Sequence, residues 1–124
     1  MNPLVSIVIP TYQRRESLKI TLESVLSQSY QNYEILIIDD GSKDGTREMI
    51  YNLKDQRIIY IWQNNTGGTA NPRNKGILSA RGEWIECLDS DDIWTSEKQE
   101  QWVNNFNDKW DVSYKKLEII SWRK

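Results

Sequence analysis

The sequence predicts an α/β fold in which a mostly parallel sheet is covered by helices. Short β-branched apolar runs recur along the chain, amphipathic stretches of helical period separate them, and the joins between the two are brief. Parallel neighbours cannot be joined by a tight hairpin and need a crossover, usually a right-handed helix. The alternation therefore fits a sheet with helices packed on its faces.

Residues 4–9 (LVSIVI) lie between Pro3 and Pro10 and read as a buried strand that ends at a proline turn. Over residues 16–29, Leu18, Leu22, Val25 and Leu26 share one helical face. Residues 34–38 (EILII) form the next strand, and Met49, Ile50 and Leu53 mark the inner face of a second helix. Residues 57–62 read as a third strand and residues 64–69 as a glycine-rich loop. Pro72 suits the first turn of a helix that runs to about Ala80 and stops at Arg81-Gly82. Residues 83–88 (EWIECL) give a fourth strand. Ser96 is placed to cap a last helix with Trp102, Val103 and Phe106 inside, and residues 117–122 leave room for one more strand.

In open sheets of this class, ligands bind beyond the carboxyl ends of the strands. The polar clusters fall there: Thr11-Tyr12 after strand one, Asp39-Asp40 after strand two, and Asp89-Ser90-Asp91-Asp92 after strand four. The last segment sets three carboxylates within four residues, a repulsion that a hard divalent cation relieves. If the segment is extended, Asp89 and Asp91 face the same way and Asp92 faces elsewhere. Taken alone, it reads equally well as a solvated turn that caps a helix. Asp39-Asp40-Gly41-Ser42 likewise suits turn and cap chemistry as well as a base contact. Gly67-Gly68 permits close approach of backbone to a ligand but also describes an ordinary loop. Arg73 suits either a diphosphate or a surface ion pair. Tyr12 and Trp94 flank the expected site, where aromatic faces can cover a base or sugar.

Composition removes several alternatives. A chain of 124 residues, 38% of them hydrophobic, suits a single domain spanning 1–124. Its net charge of -2, with no basic cluster longer than a pair, lacks the electrostatic footprint of a nucleic-acid binder. Histidine is absent, so any metal must be held by carboxylates, and Cys87 has no partner for an internal disulfide. The apolar runs are too short to span a bilayer and no signal-type segment leads the chain, so the expected location is cytoplasmic.

Five ordered segments then carry a family resemblance: VSIVIPTY (5–12), IDDGSKDGT (38–46), RNKGI (73–77), GEWI (82–85) and LDSDD (88–92). Their order and spacing resemble those of inverting family 2 glycosyltransferases, whose glycosyltransferase A fold has a Rossmann-like nucleotide-binding half. The resemblance runs from residue 4 to about 106 and covers the N-terminal, nucleotide-sugar-binding half of the usual catalytic domain. It implies that Asp40 contacts uracil and that Pro10, Thr11 and Tyr12 line the base and ribose. It also implies that Asp89-Ser90-Asp91 is the Asp-X-Asp motif, with Asp91 the direct metal ligand and Asp89 near ribose or a metal-bound water. Gly67, Gly68 and Arg73 are then expected beside the nucleotide. The implied cofactor is Mn²⁺, or Mg²⁺, and the implied partner is a UDP-sugar of the UDP-glucose or UDP-galactose type.

No acceptor-binding half or catalytic-base carboxylate is recognised after Phe106, so donor binding is better supported than transfer. The expected function is glycosyl transfer to an unknown acceptor or slow hydrolysis. The alternative is a nucleotide-sugar-binding module, or fragment, without turnover. A phospho-receiver domain also places acids at strand ends, but it needs them after strand one, where this chain has Pro-Thr-Tyr. Apolar surface left by a missing half is expected to be covered in a homo-oligomer through Trp102, Trp110 and Trp122.

Overall fold

The computed structural model describes residues 3–105, 112–115 and 119–123; side chains are described within 3–105, apart from Gln99, Trp102 and Asn105. The order is β1 (Val5–Thr11), α1 (Arg15–Leu26), β2 (Tyr33–Asp39), α2 (Thr46–Leu53), β3 (Ile58–Trp62), α3 (Ala70–Ser79), β4 (Trp84–Cys87), α4 (Lys98–Asn105), β5 (Val112–Lys115) and β6 (Ile119–Arg123). These strands join one sheet in the order β3-β2-β1-β4-β6-β5. The pairs among β1 to β4 are parallel, while β6 runs antiparallel to both β4 and β5. The α/β class and the mostly parallel sheet are as expected. The C-terminal segment departs from expectation by supplying two strands instead of one. Phe106 and Trp110 lie outside the described residues, as do the side chains of Trp102 and Trp122.

Alternation along the strands divides the core in two. Val5, Ile7, Ile9, Ile35, Ile37 and Trp84 face α1, α2 and α4, meeting Leu18, Leu22, Val25, Ile50 and Val103. Val8, Leu36, Ile38, Ile85 and Cys87 face the other way, toward Ile77 and Ala80 of the α3 segment. Continuous apolar strands are what a sheet covered on both sides requires. Contact with α3 is closest at Gly76, where a built Cβ would stand 2.3 Å from Val8 Cγ1. Only glycine lets that helix lie so near the sheet.

The fully buried pair Ser6 and Glu34 ties the amino-terminal edge of the sheet together. Ser6 Oγ donates to Glu34 Oε2 at 2.6 Å, and Arg81 reaches the same carboxylate through its backbone N–H (2.8 Å) and its Nε (2.9 Å). Burial pushes the Glu34 carboxyl up, but the hydrogen bonds from Ser6 and Arg81 outweigh it and hold the group below its ordinary value.

β1 does not stop at a proline turn but runs through Pro10 to Thr11. Val5 N–H and the Thr11 carbonyl bond toward β2, whereas the Leu4 and Val8 carbonyls bond toward β4. By alternation, the Pro10 nitrogen faces β4, whose pairing with β1 ends at Val8↔Cys87. The residue without an N–H thus stands where the two strands part and no ladder bond is lost. This fork between β1 and β4 is also where the strand order reverses, the position at which open α/β sheets form a crevice.

Candidate functional site

A cavity of about 440 Å³ opens at the carboxyl ends of β1 and β2, lined by Pro10, Thr11, Tyr12, Arg14, Asp40, Asn65, Gly67, Gly68, Thr69, Pro72 and Ser90. Seven sequence-predicted residues, Pro10, Thr11, Tyr12, Asp40, Gly67, Gly68 and Ser90, therefore share one wall. Arg73, Asp89 and Asp91 stand outside this lining. Thr11 is 4% exposed, and its Oγ1 has no hydrogen-bond partner. A buried hydroxyl left unsatisfied beside a cavity is available to a ligand's polar group or to water.

The adjacent aspartates divide their work. Asp39 is fully buried, accepting the Ser42 N–H at 2.9 Å and the Tyr60 hydroxyl, so it shapes the turn and anchors β3. Asp40 faces the cavity but is also engaged. Its carboxylate accepts Gln63 Nε2 at 2.8 Å and, at 3.0 Å each, the backbone N–H and hydroxyl of Thr66. Burial raises its carboxyl, while these bonds and the Gly67 N–H outweigh burial and leave it lowered. Asp40 thereby holds the 63–67 loop, including Gly67 at φ +85°, against the cavity.

The acidic segment after β4 is not extended. Its Asp92 N–H closes on the Asp89 carbonyl at 3.2 Å, making a turn in which the expected alternation of side chains does not operate. Asp89 is half-buried, Ser90 buried and Asp91 exposed. Neither the Asp89 nor the Asp91 carboxylate has a hydrogen-bond or ion-pair partner among the described residues. No cluster of three metal-ligating side chains occurs among them either, so a cation here must draw part of its shell from a ligand's oxygens or water. The donor chemistry fits: hard carboxylate oxygens without a counter-ion among the described residues, beside a cavity large enough for an oxygen-rich ligand.

Two basic residues border this region. Arg14, at the start of α1, lines the cavity with no ion pair among the described residues, and sequence reasoning passed over it because a paired Arg14-Arg15 looks like solvated surface. Arg73, in the first turn of α3, is half-buried and its Nε has no hydrogen-bond partner. Its charge partly opposes the burial that pushes the Cys87 thiol up to about 11, so Cys87 is an inert core thiol at neutral pH. Trp94 does not flank the cavity. It is 5% exposed in the core, with Lys98 Nζ 4.1 Å from its ring centroid, and Lys98 also pairs with the buried Glu86 at 3.0 Å. No helix among the described residues is long and apolar enough to cross a membrane.

Comparison with known proteins follows the same outline. The family model "Glycosyl transferase family 2" matches residues 6–120. Over 95 residues the chain is 46% identical to the UDP-Glc:alpha-D-GlcNAc-diphosphoundecaprenol beta-1,3-glucosyltransferase WfaP of Escherichia coli, covering 77% of this chain and 38% of that protein. It is 41% identical over 102 residues to the putative teichuronic acid biosynthesis glycosyltransferase TuaG of Bacillus subtilis, covering 81% of this chain and 40% of that one. The chain therefore spans about 40% of the length of these relatives. Among solved structures, S. aureus TarS 1-349 in complex with UDP-GlcNAc superposes with a TM-score of 0.81 at 26% identity, over 87% of this chain and 32% of that one. The Pyrobaculum calidifontis mannosyltransferase PcManGT, solved with GDP-Man and Mn2+, shares the fold with a TM-score of 0.84 at 16% identity, over 99% of this chain and 45% of that one. By sequence and by fold, the chain belongs to glycosyl transferase family 2.

Proposed function

We propose that the cavity holds the nucleoside diphosphate of a UDP-sugar and that a divalent cation, Mn²⁺ or Mg²⁺, joins the diphosphate to the acidic turn. The observation that carries this reading is the convergence of three things at one fork. These are the unsatisfied Thr11 hydroxyl, the Asp89 and Asp91 carboxylates, which have no hydrogen-bond or ion-pair partner among the described residues, and the two basic residues Arg14 and Arg73. A neutral or apolar ligand would leave these groups without partners, whereas a diphosphate with its cation engages both signs of charge. Pro10, Thr11, Tyr12 and Asp40 take the base and ribose side, and Asp40 contacts the base as the 63–67 loop adjusts. Asp91 is the direct metal ligand, with Asp89 toward ribose or a metal-bound water. Gly67 and Gly68 allow backbone to approach the ligand closely. When bound, the cation supplies Lewis-acid assistance to the departing diphosphate. The chain's own residues hold the donor and orient its pyrophosphate.

A glucose- or galactose-type donor agrees with the UDP-Glc in the WfaP name. The reaction is inverting transfer of the sugar to an acceptor hydroxyl, or slow hydrolysis where water takes the acceptor's place. Calorimetry of UDP and UDP-glucose with and without Mn²⁺, followed by a nucleotide-release assay, tests the proposal. Binding that Mn²⁺ strengthens supports the donor site, and UDP release separates turnover from binding alone. Equal affinity with Mn²⁺ and with EDTA rejects the metal-bridged site.

The location is cytoplasmic in this reading, as the lone inert thiol suits a reducing compartment. Self-association through the tryptophan-rich C-terminal segment completes the proposal. Sedimentation at micromolar concentration is expected to show a dimer that dissociates on dilution, and a monomer at every concentration overturns it.

A further inference from the structure

Helix α1 carries two stripes. Leu18, Leu22 and Val25 pack into the core, while Thr21 and Ser24 share another face that Gln28, just past the end of the helix, continues. That second face is polar yet largely withdrawn from solvent, with Thr21 at 0% and Gln28 at 1% exposure and Ser24 half-buried. Buried polar side chains on a helix need partners, and here every side chain of the stripe reaches the backbone of the segment that follows β4. Thr21 Oγ1 lies 2.5 Å from the Asp92 carbonyl and 3.1 Å from the Ser90 carbonyl. Ser24 Oγ accepts the Trp94 N–H at 3.1 Å and donates to the Thr21 carbonyl at 2.7 Å. Gln28 Nε2 donates to the Thr95 carbonyl at 2.6 Å, and Ser29 N–H reaches the Ser96 carbonyl at 3.0 Å.

We infer that Thr21, backed by Ser24 and Gln28, is a positioning residue that sets the acidic turn for cation binding by gathering the carbonyls on either side of Asp91 onto one hydroxyl. The inference rests on the donor-site reading above and adds residues far from the ligand in sequence. A hydroxyl has one proton, so Thr21 serves both carbonyls only if Ser90 and Asp92 curve toward it. That curvature leaves the intervening Asp91 side chain exposed on the outside of the turn. Without the hydroxyl, two buried carbonyls lose their donor, the turn relaxes, and the Asp89 and Asp91 carboxylates lose their fixed spacing. Groups that orient metal ligands from behind typically change metal affinity by about 10- to 100-fold when removed.

The test is calorimetry of UDP on the full chain, in Mn²⁺ and in EDTA, with the ratio of the two affinities as the readout. Thr21→Val keeps the shape and removes the hydroxyl. Its ratio is expected to fall by about tenfold or more while affinity in EDTA is unchanged, and Thr21→Ser is expected to restore it. Tyr33→Phe serves as the structural control, because at the amino-terminal end of β2, away from the cavity, it deletes a buried bond of 2.9 Å to the Val25 carbonyl and the acceptor of Arg57 Nη1. It is expected to lower stability and leave the ratio alone. If Thr21→Val does not fold, Ser24→Ala is expected to reduce the ratio in the same direction by a smaller factor. An unchanged ratio in Thr21→Val or Ser24→Ala, or an equal loss in Tyr33→Phe, overturns the inference while the donor site stands. A parent chain whose UDP affinity does not respond to Mn²⁺ overturns both.

Discussion

Replacing Gly76 with alanine tests whether the contact between α3 and the sheet is set at the van der Waals limit. The new Cβ would lie 2.3 Å from Val8 Cγ1, 3.2 Å from Val8 Cγ2 and 3.3 Å from Ile38 Cγ1. Val8 and Ile38 are both fully buried in strands paired on each side, so neither can rotate away into free space. Overpacking of this kind costs about 1–3 kcal/mol. Alanine in a helix interior recovers about 1 kcal/mol relative to glycine. An overlap this deep takes the upper part of that range, about 2–3 kcal/mol, so the net loss is about 1–2 kcal/mol, or a fall of roughly 4–8 °C in Tm. Relief of the clash requires α3 to move outward by roughly 1 Å, carrying Pro72 and Arg73 with it, so UDP affinity is expected to fall as well. The assay is urea denaturation of Gly76→Ala, Val8→Ala and the double variant. A favourable coupling of about 1 kcal/mol or more is expected, because removing the Val8 methyls makes room for the new one. If Gly76→Ala equals the parent in stability, or costs as much in the Val8→Ala background as it does with Val8 in place, the steric argument is wrong.

Asp91→Ala is expected to abolish the Mn²⁺-dependent part of UDP binding without shifting Tm, since the side chain is exposed and has no hydrogen-bond or ion-pair partner among the described residues; unchanged affinity in Mn²⁺ rejects it as the ligand. Asp40→Ala releases the donors of Gln63 and Thr66 and is expected to weaken uridine nucleotides more than pyrophosphate, measured by calorimetry, with equal losses assigning Asp40 to the loop alone. Glu34 is held below its ordinary carboxyl value of 4.5, so the stability it contributes is complete above that pH and is lost as pH falls through the lower folded value. Glu34→Gln is therefore expected to flatten the acid limb of a Tm profile below pH 4.5, and an unaltered slope refutes the linkage.

The strands and helices of the first 88 residues were legible because each uses one hydrophobic period with clear punctuation. Where the reading failed, a tertiary contact had overridden a local rule. Pro10 suggests a turn, but a strand whose neighbour has already departed has no use for the N–H that proline lacks. For the acidic segment the sequence leaves an extended run and a turn equally open, because the Thr21 hydroxyl that meets its carbonyls stands 69 residues from Ser90. Trp94 looks like a platform beside the site because it follows the acidic run. Its burial against Lys98, and that lysine's pairing with Glu86, cannot be deduced from sequence spacing. Arg14 was hidden by its neighbour, as one guanidinium beside another looks like surface. The predicted residues that do share the cavity lining are mostly those carried by short motifs at or after strand ends, which topology alone brings together.

Proline at the fork between β1 and β4 has a consequence for evolution as well as for packing. Two parallel strands in register tend to zip until something stops them, and each added ladder bond would close the crevice by one residue pair. Residue 10 offers no donor for the next rung, so zipping one pair further would gain no hydrogen bond there. The ring that replaces the missing hydrogen is itself part of the cavity lining. The pocket walls are then free to vary with the nucleotide or sugar they accept, while the separation between the two strands stays fixed by the backbone itself.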